Sequence, residues 1–242
     1  MKVSAPVKPT HLAVFICAAT TFAIFAVGAT AFGGLARAQS AAAIQGCADL
    51  GGSGDVDRVC HVVTRTETYS IDMSYPLDYP DQGALTDYLT RDRDQFVDFV
   101  ATIAPQDRTY DYGISPHSYS SGTADSGTAS VVLARYGDTG AHPVTSFKAF
   151  NYDLGAHAAI ALETLFAPGA DPGAVLDPIV QREMDKRWRG YEGPTPQNTL
   201  GDRVYRNFAI TDDAVIFFIG QGMWLPEVAG PQEVTVPRTA LA

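Results

Sequence analysis

The sequence of 242 residues is poor in cysteine, in basic residues and in recognisable chemical motifs. It has three cysteines, and its 17 Lys and Arg residues stand against 27 Asp and Glu residues, which gives a formal net charge of −10. Nucleic-acid binding is disfavoured, because its affinity comes mainly from basic side chains that neutralise phosphates. The glycine motifs that bind phosphates and dinucleotides are absent, so we expect no cofactor.

Beyond residue 32 the sequence also lacks any apolar run long enough to span a bilayer. Before that point, Lys2 and Lys8 precede an apolar run over 12–32, and small residues follow up to Ala38. This order is typical of a secretory signal peptide over residues 1–38, although the run approaches the roughly 20 residues of an uncleaved membrane anchor. Cleavage removes three basic and no acidic residues, which takes the charge from −10 to −13 and leaves one domain of about 204 residues.

Cys47 and Cys60 are the two cysteines outside the leader. In an oxidising compartment their spacing predicts a disulfide that closes a short glycine-rich loop. The rival interpretation is a metal or redox pair, but the spacing fits neither Cys-x-x-Cys nor a set of zinc ligands. The segment 39–58 is small and polar, and we expect only this disulfide to hold it in place.

Hydrophobic periodicity predicts an α+β fold with two principal helices. The first helix begins at Asp81 and ends before Pro105. The second spans about 171–189, where either Asp177 caps its start or Pro178 kinks it. Strands are predicted, in chain order, at 69–75, 110–114, 130–136, 145–151, 208–210, 215–219 and 233–236. Because helices and strands do not alternate regularly, we expect a mainly antiparallel or mixed sheet in a single domain over 59–242.

Acidic residues on the first helix raise the question of a calcium site. Asp92 and Asp94 flank Arg93, and helical spacing would splay their carboxylates apart. The interleaved arginines instead indicate a solvated, charge-paired face. We therefore expect no metal site.

Short strings throughout residues 47–242 resemble the secreted mycobacterial immunogenic proteins of the MPT64 family. The strings are Tyr79-Pro80-Asp81-Gln82, Arg91-Asp92 with Phe96, Ser130-Val131-Val132-Leu133, Gly140-Ala141-His142-Pro143, Lys148-Ala149-Phe150-Asn151-Tyr152, Pro178-Ile179-Val180-Gln181, Asn207-Phe208-Ala209-Ile210-Thr211 and Leu225-Pro226-Glu227-Val228-Ala229-Gly230-Pro231. The stretch 212–237 is also similar to the C-terminal domain of RsiV, an anti-sigma factor that binds lysozyme. The resemblance implies a secreted or cell-envelope antigen of actinobacteria, with a β-grasp-like α+β domain. Some relatives are described as esterases, while RsiV implies protein recognition.

An esterase needs an activated nucleophile, usually in a Gly-x-Ser-x-Gly turn, and the sequence has no such pentapeptide. His142, beside Pro143 after a predicted turn, is the candidate base. Ser146 or Ser130 is the candidate nucleophile, and Asp212 or Asp213 the candidate acid. A histidine that only satisfies turn backbone groups is the alternative, and we favour it because a triad is defined by geometry.

Aromatic residues favour recognition over catalysis, because amphipathic rings serve binding surfaces, including those that stack on sugars. Tyr75 and Tyr79 lie where strands meet loops, and Trp224 follows Gly222 in a turn that we expect to be exposed. The sequence therefore predicts a binding module for a protein or an envelope glycan, and the negative charge suits basic, lysozyme-like partners. A small-ester hydrolase is the alternative.

Overall fold

The computed structural model of the chain describes residues 41–105 and 107–241. Its helices there are α1 (41–49), α2 (Gln82–Thr102) and α3 (Pro172–Arg187). Its strands are β1 (Ser53–Gly54), β2 (Val59–Arg65), β3 (Tyr69–Pro76), β4 (Tyr110–Ser121), β5 (Thr128–Gly137), β6 (Val144–Asp153), β7 (Ala158–Ala159), β8 (Phe208–Ile210), β9 (Ala214–Ile219) and β10 (Gln232–Pro237). The predicted single α+β domain with its mixed sheet is confirmed. The predicted leader lies outside the described residues, within which no helix is long and apolar enough to cross a membrane.

Two sheets, rather than the expected one, organise the strands. The first has seven strands in sequential order from β1 to β7, and the second has the order β10-β9-β8. Pairing is antiparallel except between β3 and β4, which run parallel on either side of α2 in the sequence. Strands β5 and β6 match two predicted strands and form a hairpin, whereas β4 extends through the Ser-rich stretch 118–121, beyond the strand predicted at 110–114. In that stretch, serines stand at positions that apolar residues occupy in a typical half-buried strand, so the sequence shows no hydrophobic alternation there.

The two sheets pack on each other over part of their faces, between α2 on one side and α3 on the other. The side chains of α2 pack on one face of the large sheet, and those of α3 pack on the outer face of the small sheet. The two sheets meet through small and aromatic side chains, Val132, Ala149, Ala209 and Phe218. Because both faces of β9 are covered, its sequence is nearly continuous apolar, as expected for a strand at the centre of a sheet.

Local sequence explains both long helices. The Asp81 side chain accepts a hydrogen bond from Ala84 N (3.2 Å) at the start of α2, as predicted. For α3 the cap is Asp171, which accepts from Gly173 N at 3.0 Å, with Pro172 in the first turn. The predicted span of about 171–189 is close to the observed helix, and of the two alternatives at its start the cap at Asp177 is wrong, since the helix runs through Pro178.

Two expectations about polar segments are wrong. The N-terminal segment is held by more than a disulfide, because Ala43 and Leu50 of α1 and its C-terminal turn are buried in the core of the large sheet. Asp92 is not on a solvated face. Its Oδ2 accepts hydrogen bonds from Tyr112 OH at 2.6 Å and from Arg135 Nε at 2.7 Å, which ties α2 to the sheet.

The predicted disulfide between Cys47 and Cys60 is confirmed. It joins the end of α1 to β2, and both residues are buried. Within the described part of the chain, no three His, Cys, Asp or Glu side chains are grouped so that they could hold a metal ion.

Candidate functional site

The candidate base His142 lies in the turn between β5 and β6 and faces a loop before β10. Its Nε2 is 2.9 Å from Glu227 Oε2, and its Nδ1 is 3.2 Å from the carbonyl oxygen of Pro143. Both ring nitrogens therefore face oxygen acceptors, so neither nitrogen faces a hydroxyl group. In this arrangement the ring orders the loop, and it is not placed to take a proton from a nucleophile.

The other members of the predicted triads have different partners. Asp212 Oδ1 accepts from Gly122 N at 2.7 Å, and Ser130 Oγ accepts from Ile210 N at 3.2 Å inside the protein. Ser146 lies opposite Arg135 in the β5–β6 register. Asp213 accepts from Arg238 N through its carbonyl oxygen (3.0 Å). Among the described residues, no hydrogen bond joins His142 to any of these serines or aspartates, so the predicted triads are not assembled.

The three aromatic candidates for binding are buried. Tyr75 is 0% exposed, Tyr79 6% and Trp224 5%. The expectation that Trp224 sits in an exposed turn is wrong: its Nε1 donates to Pro196 O at 3.0 Å, and its ring packs against Tyr205. Amphipathic rings at loop ends serve the core here, because the loops fold back over the sheets.

A cavity lies along β6, which is followed only by the short edge strand β7 of the large sheet. The short strand β7 pairs only with Tyr152 and Asp153, so the middle of β6 needs other partners. Ala149 N donates to Asn207 Oδ1 at 3.0 Å, and Ile160 N donates to the carbonyl oxygen of Asn151 at 2.9 Å. These two hydrogen bonds hold the segments around Ile160 and Asn207 beside β6, but the segments do not fill the space along the strand.

We call this cavity of about 360 Å³ the edge pocket. Its lining comes from three segments, with Lys148 and Asn151 on β6, Ile160 to Glu163 after β7, and Arg206 with Phe208 at the start of β8. The volume falls within the range of ligand pockets, roughly 300–1,000 Å³. The pocket is thus large enough for a molecule the size of a saccharide unit.

Two cations, Lys148 and Arg206, line the edge pocket together with one carboxylate, Glu163. Lys148 is half-buried, with its Nζ 5.2 Å from the ring centre of Phe150 and 5.9 Å from that of Tyr88. In residues 41–105 and 107–241, no carboxylate lies within ion-pair distance of Lys148 or Arg206. Burial, and then the charge of Arg206, lowers the pKa of Lys148. The pocket is therefore electropositive in a chain that is acidic as a whole.

Asn151 adds an unpaired acceptor to the lining. The residue is 5% exposed, and its Nδ2 donates to the carbonyl oxygen of Phe208 at 2.8 Å. Its Oδ1 is buried, and no group among the described residues donates to it. Buried polar atoms are nearly always hydrogen-bonded in proteins, so this oxygen is an unsatisfied group beside the pocket.

Comparison with known proteins finds relatives over most of the chain. The chain is 42% identical over 203 residues to Esterase Rv3036c of Mycobacterium tuberculosis, which covers 84% of this chain and 89% of the relative. It is 37% identical over 196 residues to Immunogenic protein MPT64 of M. tuberculosis and to Immunogenic protein MPB64 of M. bovis, 81% of this chain and 86% of each relative. The chain belongs to the MPT64 family.

Membership of the MPT64 family confirms the resemblance seen in the sequence. In addition, the family described as "Protein of unknown function (DUF3298)" matches residues 163–239, which contain α3 and the three-stranded sheet. A solved DUF3298 protein from Pseudomonas aeruginosa aligns with a TM-score of 0.48 and 14% identity, covering 77% of this chain and 93% of its own. The TM-score and the identity are too low for this structure to support a conclusion. The similarity of the stretch 212–237 to RsiV stays a prediction.

Sequence reasoning did not single out Lys148, Asn151 or Arg206. Lys148 and Asn151 belong to one of the strings that resemble the MPT64 family, and Phe208 belongs to another. The structure brings these two strings together at the edge pocket. The available indication of a site was a predicted strand, rich in aromatic residues, that also contains a lysine and an asparagine. Such polar residues are costly to bury unless they are paired.

Proposed function

We propose that the protein is an exported binding protein of the immunogenic type, and that the edge pocket is its ligand site. The observation that carries this proposal is a cavity of about 360 Å³ whose lining includes two cations, Lys148 and Arg206, and one carboxylate, Glu163. Export is supported by the sequence of the leader and by the disulfide between Cys47 and Cys60, which is typical of an oxidising compartment.

The chemistry of the lining favours a ligand with hydroxyl groups. Lys148 and Arg206 line the pocket, and both side chains only donate hydrogen bonds, so the ligand needs oxygen acceptors. A hydroxyl group accepts such hydrogen bonds. A saccharide supplies several hydroxyl groups in a molecule of suitable volume, which agrees with the envelope glycan expected from the sequence.

Ester hydrolysis is the second candidate, favoured by the relative at 42% identity that is named an esterase. Against it, the residues that line the edge pocket include no serine, threonine or cysteine that could serve as a nucleophile. The pair of His142 and Glu227 offers no hydroxyl partner either. A binding role is therefore better supported by this chain's own residues.

A tryptophan scan of two exposed alanines tests the proposal. Ala161 lines the edge pocket, whereas Ala158 on β7 does not. We expect soluble fragments of digested cell-wall polysaccharide to shift the backbone NMR signals of Asn151 and Phe208. Ala161→Trp should remove these shifts by filling the cavity, and Ala158→Trp should leave them.

The opposite pattern would overturn the assignment of the site. If Ala161→Trp binds the fragments as well as the unmodified protein does, the ligand lies elsewhere. A parallel assay with p-nitrophenyl acetate covers the second candidate. Hydrolysis that survives Ala161→Trp and disappears in His142→Ala would establish an esterase centred on the turn before β6.

A further inference from the structure

We propose that Ser53, His61 and Asp55 form a hydrolytic centre for small carboxylic esters on the face of the large sheet opposite α2. In this centre Ser53 is the nucleophile, His61 is the general base and Asp55 positions the histidine ring. The centre lies apart from the edge pocket, so this inference goes beyond the proposed binding function and does not depend on it.

The pairing of β1 with β2 places Ser53 directly opposite His61. Directly opposed residues of an antiparallel pair project from the same face of a sheet, with their Cβ atoms roughly 5 Å apart. Cys60 and Val62, which flank His61 on β2, are buried in the core on the α2 side, so His61 and Ser53 project from the other face. Both residues are exposed there, and rotation about χ1 of the serine brings its Oγ towards the histidine ring.

A tight turn fixes the carboxylate of Asp55. Its Oδ1 accepts hydrogen bonds from Asp57 N at 2.9 Å and from Val59 N at 3.0 Å, and its Oδ2 is 2.9 Å from His61 Nε2. The hydrogen bonds from Val59 and from His61 lower the pKa of Asp55, which keeps the carboxylate ionised at neutral pH. A fixed, ionised carboxylate of this kind orients the ring of a general-base histidine.

The second ring nitrogen of His61 is left for a nucleophile. A carboxylate only accepts hydrogen bonds, so in the neutral ring Nε2 carries the hydrogen and Nδ1 keeps its lone pair. Within residues 41–105 and 107–241 no group is hydrogen-bonded to this Nδ1, whereas Nδ1 of His142 faces a carbonyl oxygen. Ser53 Oγ and His61 Nδ1 are not hydrogen-bonded in the structure, and such catalytic bonds often form only when substrate binds.

The reaction needs water as its only co-reactant. Ser53 Oγ attacks the carbonyl carbon of the ester, and its proton passes to His61 Nδ1, which then gives the proton to the departing alkoxide. Water attacks the resulting acyl-serine and loses a proton to His61 Nδ1. That proton returns to the serine oxygen as the carboxylic acid leaves, which restores the centre.

Two neighbouring groups favour a small, neutral ester as substrate. Asp55 N donates to Val59 O at 3.0 Å, so the preceding N–H group, that of Gly54, points away from β2 at the edge of the sheet. The N–H of the residue after a nucleophile is a common donor to the oxyanion of the intermediate. Val63 is 54% exposed two residues after His61 on the same face, and it offers a contact for a short acyl chain.

Hydrolysis of p-nitrophenyl butyrate by the purified protein with its disulfide intact tests the proposal. We expect Ser53→Ala and His61→Gln each to lower kcat at least about 100-fold. Asp55→Asn keeps an acceptor for the turn but removes the charge beside the ring, and it should lower kcat at least about tenfold with KM little changed. Ser74→Ala is the matched control and should keep full activity, because Ser74 is the other residue opposite His61, and its Oγ donates to Ile114 O at 3.5 Å.

Covalent labelling supplies a second measurement. Phenylmethanesulfonyl fluoride transfers its sulfonyl group to the oxygen of an activated serine, and fluoride leaves. We expect mass spectrometry to locate one label on Ser53 in the parent protein and none there in His61→Gln. Because Ser53, His61 and Asp55 are exposed, their variants should keep the fold, which circular dichroism checks.

The outcomes are distinct from those of the edge pocket. Full activity in Ser53→Ala, or loss of activity in Ser74→Ala, refutes Ser53 as the nucleophile. Loss of activity in His142→Ala with full activity in His61→Gln refutes His61 as the base. If the parent protein shows neither hydrolysis nor labelling, the hydrolytic centre is refuted, while the NMR shifts with wall fragments and their loss in Ala161→Trp still decide the binding function.

Discussion

Removal of the disulfide is the perturbation with the best-defined magnitude. The bond joins Cys47, at the end of α1, to Cys60 on β2, with a sequence separation of 13 residues. A crosslink restricts the unfolded chain, and a closed loop of this length contributes about 3 kcal/mol by loop-closure entropy. We expect the double variant Cys47→Ala, Cys60→Ala to lose about this amount of unfolding free energy.

The fold itself should survive the loss. Ala43 and Leu50, near the two ends of α1, are buried in the core of the large sheet and continue to hold the helix. Because the crosslink acts mainly on the unfolded state, the far-ultraviolet circular dichroism of the variant should match that of the parent protein. Both should unfold cooperatively.

Urea unfolding, followed by circular dichroism, measures the effect. With a slope of about 2 kcal/mol/M, a loss of about 3 kcal/mol lowers the midpoint by about 1.5 M. Ser53→Ala, an exposed position inside the same loop, is the matched control and should leave the midpoint unchanged. A loss below about 0.5 kcal/mol in the double variant would refute the loop-closure reasoning.

Two further predictions concern buried tyrosines. Tyr75→Phe should leave stability unchanged or raise it by about 1 kcal/mol, because its hydroxyl is buried without a partner among the described residues, whereas Tyr112→Phe should cost roughly 1.5–3 kcal/mol, because its hydroxyl donates to Asp92 at 2.6 Å. Urea unfolding of both variants measures their free energies of unfolding. Equal losses of unfolding free energy in the two variants would contradict this prediction. Burial, with a smaller contribution from Asp49, raises the pKa of Tyr75 from 10.0 to about 12. The neutral phenol is favoured in the folded state, so this stabilisation is complete below pH 10 and is lost as the pH rises towards 12. When the pH is raised from about 8 to about 11, the free energy of unfolding should therefore fall less in Tyr75→Phe than in the parent protein. An identical fall in both proteins would argue against this prediction.

The elements that local sequence specifies were predicted well. The alternation over 69–75 matches β3, and the capping Asp81 with the apolar spacing that follows matches α2. The sequence left two starts open for α3, because Asp171-Pro172 and Asp177-Pro178 both satisfy the rules for a helix start. Only the packing of the residues between them distinguishes the two.

The candidate site depended on contacts that no local pattern encodes. The sequence places Trp224 beside a glycine turn, but the loop that supplies Pro196 covers the ring. His142 has the partner Glu227 from a distant loop instead of an aspartate near β9. Burial and pairing of this kind arise from chain segments far apart in sequence, which periodicity does not report.

The sequence by itself determined the acidic charge, the pairing of its two cysteines outside the leader, the α+β class and the family, because these follow from composition, spacing and short strings. The tertiary structure alone decided that the strands form two packed sheets and that β6, which pairs with the last strand β7 at only two residues, is incompletely paired. That edge brings Lys148 and Asn151 next to Arg206. The physical reason is that a pocket forms where chain segments far apart in sequence pack together without filling the space between them. Only folding brings those segments together.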